Sequence, residues 1–206
     1  METDLSYQWL GRQPYEPMWH QLQAHAAAVA TGEKEEIVWA CEHEPVYTTG
    51  KRAVDNRTQP ELPAPLIYTD RGGETTFHGP GQIMLYPIVH LKRRHLSPRS
   101  YVHLLEQSAI DLLAEFNISS ERKCGLPGVW SSDGKIAAIG LRIQNGVAYH
   151  GMALNVNVAP DWFAAINPCG TRKKSLSMAF YVDQPPELQL LANRWNEHLT
   201  RLLQQN

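Results

Sequence analysis

The sequence predicts an α+β domain, with helices near the beginning, middle and end of the chain and mostly antiparallel strands between them. Three segments carry apolar residues at the spacing of one helix face. After the second of them the apolar pattern changes to a period of two residues, interrupted by Asp133-Gly134 and Asn145-Gly146. Because both dipeptides favour the tight turns of hairpins, these strands are expected to pair antiparallel with their neighbours in sequence.

The predicted helices have recognisable ends as well as apolar faces. The first is expected over residues 16–30, with Gly32 as its stop. The second is expected to begin after Ser97 as its cap, with Pro98 at its first position. The third is expected over about residues 186–203. Its inward face is predicted to consist of Leu188, Leu191, Trp195, Leu199 and Leu202.

The predicted strands come from two kinds of pattern. A continuous apolar run over residues 37–41 is typical of a strand buried on both faces. Residues 135–144 and about 147–158 are predicted to form a hairpin around Asn145-Gly146. The proline-dense stretch at residues 60–65 predicts an extended surface connection between elements.

Size and composition limit the class of protein. A chain of 206 residues and 23.3 kDa is expected to form one domain, residues 1–206. With 43% hydrophobic and 19% charged residues it is typical of a folded globular protein. A formal net charge of −2 disfavours a dedicated nucleic-acid binder. The sequence shows neither a signal-peptide pattern nor a membrane-spanning apolar run, so a cytoplasmic protein is expected.

The densest group of chemically special residues is the segment 71–82, Arg-Gly-Gly-Glu-Thr-Thr-Phe-His-Gly-Pro-Gly-Gln. Its glycines allow the backbone to approach a ligand closely. Arg71 can donate a bidentate pair of hydrogen bonds, and His78 can donate, accept or carry a proton. The segment matches neither a Walker A loop nor GxGxxG, so a phosphate site is not predicted. A hairpin with a Gly-Pro-Gly turn explains the composition equally well.

The three cysteines differ in their surroundings. Cys41 lies within the apolar run and is expected to be an inert packing residue. Cys124 and Cys169 lie in turn-forming segments beside basic residues, where a thiolate is favoured. From the residues alone Cys169 is the better candidate nucleophile, and Cys124 stays an alternative. With no CxxC pair and no HExxH motif, neither a disulfide framework nor a metal site is predicted.

Small residues follow Lys135 on the first strand of the predicted hairpin and recur on the second strand at 151–153. Small side chains on paired strands are compatible with a channel for a slender apolar ligand, or with close packing of a helix. Lys135 taken alone is equally compatible with an ordinary solvated lysine. These alternatives stay open at the level of residue spacing.

Four of these segments together resemble the lipoyl(octanoyl) transferases. They are residues 71–82, 134–142 (Gly-Lys-Ile-Ala-Ala-Ile-Gly-Leu-Arg), 150–156 (His-Gly-Met-Ala-Leu-Asn-Val) and 167–170 (Asn-Pro-Cys-Gly). The resemblance implies the fold of the biotin/lipoate protein ligase catalytic domain, a mixed, mostly antiparallel sheet flanked by helices. It implies octanoyl transfer from an acyl carrier protein thioester to a lysine of a lipoyl domain.

The implied acceptors are the lipoyl domains of 2-oxoacid dehydrogenase E2 subunits and the glycine cleavage H protein, with no nucleic-acid or membrane partner. By the same resemblance Cys169 is the nucleophile that carries the acyl group as a thioester, and Lys135 lowers the pKa of its thiol. A thioester is already activated, so no ATP, metal or other cofactor is expected. The acyl pocket is implied to comprise Arg71, Gly72, Gly73, Glu74, Thr75, Thr76, Phe77 and His78, then Ala138, Ile139 and Gly140, then Gly151, Met152 and Ala153. His78 is expected near the reacting carbonyl as an orienting group or proton partner.

Two basic clusters, residues 92–94 and 172–174, are candidates for steering the acidic carrier protein, although each is equally compatible with a solvated face.

Three rival functions share some of the features described above. An ATP-dependent lipoate or biotin ligase shares the fold but needs no nucleophilic cysteine. A non-catalytic acyl-binding protein would not need both Lys135 and Cys169. A cysteine hydrolase would need a general base beside the thiol.

Overall fold

The computed structural model describes residues 5–51, 62–166 and 174–205. Within these ranges the chain forms ten strands and four α-helices. The strands are β1 (Ser6–Gln13), β2 (Ile37–His43), β3 (Val46–Thr49), β4 (Leu66–Tyr68), β5 (Thr76–His78), β6 (Gln82–His90), β7 (Glu121–Lys123), β8 (Leu126–Trp130), β9 (Lys135–Gln144) and β10 (Val147–Asn155). The helices are α1 (Tyr15–Thr31), α2 (Pro98–Ala114), α3 (Asp161–Ala164) and α4 (Leu188–Gln204). A short 3₁₀ turn covers Met178–Phe180.

A seven-stranded sheet with the order β1-β2-β6-β10-β9-β8-β7 forms the centre of the described structure. Its strands are antiparallel to their neighbours except for β1 and β2, which are parallel. A smaller sheet has the order β4-β3-β5. The predicted α+β fold, with a mixed and mostly antiparallel sheet, is therefore confirmed.

The large sheet is covered by helices on both faces. One face packs against α2 and α4, in a core that includes Leu105, Trp195 and Met152. The other face packs against α1, where Leu22 and Val29 meet Tyr86. Both cores consist of apolar side chains removed from water, which is the dominant favourable contribution to folding. Among the described helices none combines the length and apolar character needed to cross a membrane.

The helix ends follow the predicted signals closely. α1 ends at Gly32, whose left-handed φ of 82° suits a residue without a Cβ. At the start of α2 the Ser97 hydroxyl accepts a hydrogen bond from the Ser100 amide, and Pro98 occupies the first turn. α4 begins at Leu188, slightly later than the predicted residue 186.

The hairpin predicted at Asn145-Gly146 is confirmed. Both residues have positive φ, 50° and 82°, as the tight turn between β9 and β10 requires. β10 ends at Asn155 rather than near residue 158. The strand predicted at 37–41 extends to His43, and its outer residues Ile37 and Trp39 are only half-buried.

No strand is predicted from the sequence for β1, β6, β7 or the small sheet. β1 is an edge strand of mixed polarity, and its register with β2 shifts between Trp9 and Arg12. The strands β4 and β5 have three residues each, too few to establish a period. Of the proline-dense stretch, residues 62–65 precede β4 as an irregular connection, while residues 60 and 61 lie outside the described ranges.

The small sheet is attached to the rest of the fold through aromatic packing. The ring of Phe77 on β5 stacks on Trp162 of α3, with centroids 4.6 Å apart and planes 8° from parallel. The Tyr47 hydroxyl on β3 donates to the carbonyl oxygen of Trp162 at 2.9 Å. These contacts hold the segment that ends at Ile166 against the small sheet.

Candidate active site

A cavity lies where the large sheet, the small sheet and the beginning of α1 meet. It is lined by Tyr15, Arg71, Gly73, Glu74, Thr75, Thr76, His78, Gln82, Met84, Tyr86, Lys135, Ala138, Ile139, Gly140, His150, Gly151, Ala153, Asn155, Phe163 and Ser175. Most of these residues come from the three segments to which the resemblance assigns the acyl pocket and from strands next to them, while Tyr15 belongs to α1, Phe163 to α3 and Ser175 to the chain that precedes the 3₁₀ turn.

The cavity floor consists of directly opposed small residues on β9 and β10. Ala138 pairs with Ala153, and Gly140 pairs with Gly151. A Cβ on Gly151 would overlap the carbonyl oxygen of Leu85 on β6, and one on Gly140 would lie 3.1 Å from the carbonyl oxygen of Gly72. The two glycines therefore allow close approach of backbone. The neighbours of these two glycines are strand and loop, so helix packing does not explain them, whereas Ala153 belongs to the core cluster that includes α1.

Arg71 organises the loop at the cavity rim. Its Nη2 donates to the carbonyl oxygens of Thr48 and Glu74 at 2.7 and 2.9 Å, and its Nη1 donates to the Gly72 carbonyl at 3.0 Å. The side chain is buried. These bonds fold the glycine-rich segment around a fixed positive charge, so the described hydrogen bonds of the guanidinium go to the protein itself.

His78 lies on the cavity wall as a buried, neutral imidazole. Its Nδ1 is 2.8 Å from Oε1 of Gln82, and its ring stacks on Tyr15 with planes 4° from parallel. Burial, followed by the positive charge of Arg71, holds the pKa of His78 well below its usual range. Burial also raises the pKa of Tyr15 to about 12. Both rings are therefore uncharged at neutral pH.

Lys135 opens β9 at one end of the cavity. Its side chain is 8% exposed, and Nζ lies 5.2 Å from the centroid of the Trp130 ring. Its amide donates to the Lys174 carbonyl at 2.9 Å, and its carbonyl accepts from the Leu176 amide at 2.8 Å. An ordinary solvated lysine is excluded by this burial.

Cys169 lies outside the described residues, as do the rest of the Asn167-Pro168-Cys169-Gly170 motif and the basic residues Arg172 and Lys173. The described chain stops at Ile166 beside the cavity residue Phe163 and resumes at Lys174, next to the cavity residue Ser175.

The other two cysteines differ in their exposure to solvent. Cys41 is fully buried on β2, and burial raises the pKa of its thiol, as expected for a packing residue. Cys124 is exposed in the turn between β7 and β8. In the basic cluster at 92–94, Arg94 forms an ion pair with Glu36 at 2.5 Å, whereas Lys92 and Arg93 are exposed.

Three of the residues assigned to the pocket by resemblance do not line the cavity. Met152 lies in the core on the opposite face of β10, because side chains alternate along a strand. Phe77 points into the cluster with Trp162. Gly72 donates its amide to the Leu141 carbonyl at 2.9 Å.

A network centred on Asp70 is not found by the sequence analysis. The Asp70 carboxylate accepts from Nε2 of His150 at 2.8 Å, from the Trp19 indole at 2.8 Å and from the Tyr149 hydroxyl. His150 has a φ of 59°, unusual for a residue with a Cβ. The hydrogen bonds from His150 and Tyr149 lower the pKa of Asp70 despite its burial. The adjacency of Asp70 to Arg71 is the one signal in the sequence.

Comparisons with known proteins identify the family. Residues 14–200 match the family model described as the lipoyl protein ligase A/B catalytic domain. The octanoyltransferase of Dechloromonas aromatica is 46% identical over 161 residues, which are 78% of this chain and 78% of that protein. The octanoyltransferase of Thiobacillus denitrificans is 44% identical over 181 residues, 85% of this chain and 83% of that protein.

A solved bi-partite lipoate protein ligase from Thermoplasma acidophilum has a TM-score of 0.69 and 14% identity, covering 98% of this chain and 85% of that one. The class is therefore that of lipoyl protein ligase catalytic domains. Within that class, the chain belongs to the octanoyltransferases, acyltransferases that transfer octanoyl groups in protein lipoylation. The relatives favour the transferase over the ATP-dependent ligase.

Buried histidines predict how stability depends on pH. Burial lowers the pKa of His43 to about 4 from the usual 6.5. The unfolded chain therefore binds an extra proton between these values, so the free energy of unfolding falls as the pH decreases from about 6.5 to about 4. Because asparagine keeps a donor for the Gln13 carbonyl but does not titrate, His43→Asn should remove up to about 3 kcal/mol of this fall.

Urea unfolding at several pH values measures the effect. His103→Asn, at an exposed position of α2, is the matched control. Its free energy of unfolding should change with pH as that of the wild type does. The other buried titratable groups are common to wild type and variants, so their contributions cancel in the difference. If the free energy of unfolding changed equally with pH in wild type and His43→Asn, the lowered pKa of His43 would be contradicted.

Proposed function

We propose that this octanoyltransferase takes its octanoyl group from an acyl carrier protein thioester and passes it to a lysine of a lipoyl domain through a thioester on Cys169. The observation that carries the proposal is the burial of Lys135 at the cavity end, bonded through its backbone to Lys174 and Leu176. In sequence, Cys169 lies between the two described segments that border this cavity, which end at Ile166 and begin at Lys174.

The reaction divides acyl transfer into two easier steps. In the first, the Cys169 thiolate forms a bond to the thioester carbonyl carbon, and the carrier thiolate leaves and takes up a proton. In the second, an acceptor lysine amine attacks the new thioester and loses a proton that passes to solvent, an amide bond forms, the C–S bond breaks, and the Cys169 thiolate is released. Lys135, as an ammonium, stabilises this thiolate by charge attraction, which is stronger in a site shielded from water.

The floor between the opposed pairs on β9 and β10 is proposed to hold the acyl chain. Ala138 and Ala153 leave space, while Met84 and Tyr15 add apolar surface. Each buried methylene contributes about 0.8 kcal/mol, so a chain of this length gains several kcal/mol and shorter chains gain less. The cavity thus supplies both affinity and a preference for chain length.

The partners follow from the same chemistry. The solved bi-partite ligase was studied with its E2 lipoyl domain, and we infer lipoyl domains of 2-oxoacid dehydrogenase E2 subunits and the glycine cleavage H protein as acceptors here. Exposed Lys92 and Arg93 are suited to bind an acidic carrier protein.

The proposed location is the cytoplasm, because a reactive thiol must stay reduced. The whole chain, residues 1–206, is proposed to act as one domain.

Intact-mass analysis after incubation with octanoyl carrier protein tests the acyl-enzyme. The wild type should gain one octanoyl group, because the thioester is stable until an amine arrives. Cys169→Ala should gain none, whereas Cys124→Ser is the matched control and should acylate like the wild type. An adduct that survives in Cys169→Ala, or attachment of free octanoate with ATP, would contradict the thioester route.

The proposed binding site for the acyl chain is tested by filling it with a larger side chain. Ala153 is two residues from Asn155 at the Lys135 end of the floor, about 7 Å along the strand, so an acetyl group does not reach it. Ala153→Leu should lower kcat/KM for octanoyl carrier protein roughly tenfold or more and change the value for an acetyl donor little.

Met152→Leu changes the neighbouring residue on the opposite face of β10 and serves as the control, with no expected change in chain-length preference. An equal loss for both donors in Ala153→Leu would place the acyl chain elsewhere.

A further inference from the structure

Two amide side chains beside His78 have orientations that backbone carbonyls determine. Nδ2 of Asn155 donates to the carbonyl oxygen of Leu176 at 3.0 Å, which directs Oδ1 of Asn155 towards Gln82. Nε2 of Gln82 donates to that Oδ1 at 2.8 Å and to the carbonyl oxygen of Phe77 at 3.3 Å. Since a carbonyl oxygen can only accept, neither amide can be reversed without losing these bonds.

This orientation determines the tautomer of His78. Oε1 of Gln82 lies 2.8 Å from Nδ1 of His78 and can only accept, so Nδ1 carries the proton. In a neutral imidazole the other nitrogen, Nε2, then has a free lone pair. Among the described residues Nε2 of His78 has no hydrogen-bond partner, and the side chain lines the cavity.

The strand register places the Gln82–Asn155 pair, which binds the Nδ1 side of His78, near the Lys135 end of the cavity. Gln82 pairs with Asn155 across β6 and β10, and the adjacent Leu154 pairs with Ala137, two residues from Lys135. His150 pairs with Leu141, six residues from Lys135 and therefore about 20 Å along the strand.

The third buried histidine near the cavity is occupied at both nitrogens. Nδ1 of His43 donates to the Gln13 carbonyl and its Nε2 accepts from the Tyr86 hydroxyl, both at 2.8 Å. Of the three histidines, His78 is thus the one that lines the cavity with a nitrogen free of described hydrogen bonds and whose hydrogen-bonded partners lie near the Lys135 end.

We propose that Nε2 of His78 accepts the proton from the acceptor lysine amine during the second half-reaction, and that Gln82 and Asn155 are positioning residues that hold its tautomer. The assignment rests on the proposed function, since it requires an acyl-thioester for the amine to attack. The two basic groups then have different roles. Lys135 stabilises the thiolate as an ammonium, which has no lone pair, and His78 removes the proton.

Atoms and electrons balance in this step. The lysine arrives as a free amine after losing one proton to solvent, and its lone pair forms the bond to the thioester carbonyl carbon. One N–H bond breaks, its electrons stay on nitrogen, and the proton moves to Nε2 of His78. The C–S bond breaks and sulfur leaves as the thiolate. The imidazolium then gives its proton to solvent.

The surroundings of His78 favour rapid loss of that proton. Tyr15 from α1, His43 from β2, Arg71 from the rim loop and His150 from β10 are the titratable or charged groups around it. Burial, followed by the permanent positive charge of Arg71, holds the pKa of His78 well below its usual range. The base therefore returns to its neutral form after each turnover.

The test uses His78→Asn and measures the two half-reactions separately. Asparagine places an amide donor near the position of Nδ1, so the bond to Gln82 is kept, but it has no equivalent of Nε2. Acylation by octanoyl carrier protein, followed by intact mass, should stay within about threefold of the wild type. Transfer from the isolated acyl-enzyme to a lipoyl domain should fall by about 10²- to 10⁴-fold, the usual range for general base catalysis.

Discharge of the acyl-enzyme by hydroxylamine distinguishes a base at His78 from a residue that only maintains the structure of the site. Hydroxylamine is unprotonated at neutral pH and strongly nucleophilic, so it should discharge the acyl-enzymes of wild type and His78→Asn at similar rates. Gln82→Met, which removes the hydrogen bond to Nδ1, should slow transfer to the lipoyl domain less than His78→Asn does. His103→Asn, exposed on α2, is the matched control and should transfer normally.

The outcomes are distinct. Transfer at the wild-type rate by acylated His78→Asn would overturn the proposal, and so would a comparable loss with hydroxylamine. Loss of acylation in His78→Asn, with normal acylation in the wild type, would assign His78 to the first half-reaction and also overturn it. A wild type that forms no acyl-enzyme would instead reject the proposed function on which the assignment rests.

Discussion

Residues 174–176 are hydrogen-bonded to the start of β9, and the position of the candidate site depends on this contact. The Lys135 amide and carbonyl bond to Lys174 and Leu176, and the Leu176 carbonyl accepts from Asn155. Three backbone groups therefore place the returning chain beside the buried lysine and the amide that orients Gln82. Without this contact the amide of Asn155 would lose the carbonyl oxygen that orients it, and the chain at residues 174–176 would not be fixed beside Lys135.

A fixed positive charge also shapes the chemistry of the cavity. Arg71 is held by carbonyl oxygens of its own loop and of β3. Burial lowers the pKa of His78 and of His150, and the charge of Arg71 lowers both further. Neutral histidines retain lone pairs that imidazolium ions lack. A site with buried cations and neutral bases is suited to stabilising a thiolate while accepting protons from an amine.

The elements that could be predicted from the sequence are those with signals confined to a few residues. The turn at Asn145-Gly146 and the end of α1 at Gly32 depend on local φ values. The bonds from His150 to Asp70 and from Gln82 to Asn155 join residues 80 and 73 positions apart, so no local pattern marks them. The segments of the cavity were therefore predictable from resemblance, but the hydrogen bonds that orient its side chains were not.

The same distinction explains the residues assigned to the pocket that lie outside it. Met152 belongs to a cavity-lining segment, yet strand alternation directs its side chain to the opposite core. Phe77 precedes His78 on β5 and faces Trp162 for the same reason. A motif identifies a stretch of backbone, whereas the register and pleat of the sheet decide which of its side chains reach the ligand.

We propose that the charge of Lys135 makes the Cys169 thiol reactive. The direct measurement is the pH dependence of alkylation of Cys169 by iodoacetamide, followed by peptide mass, in wild type and Lys135→Met. Methionine keeps the buried apolar stem and removes the charge, and Lys174→Met is the control for a nearby lysine. The pH at which alkylation of Cys169 reaches half its maximal rate should be higher in Lys135→Met alone. An unchanged value in that variant would show that the charge of Lys135 does not activate the thiol.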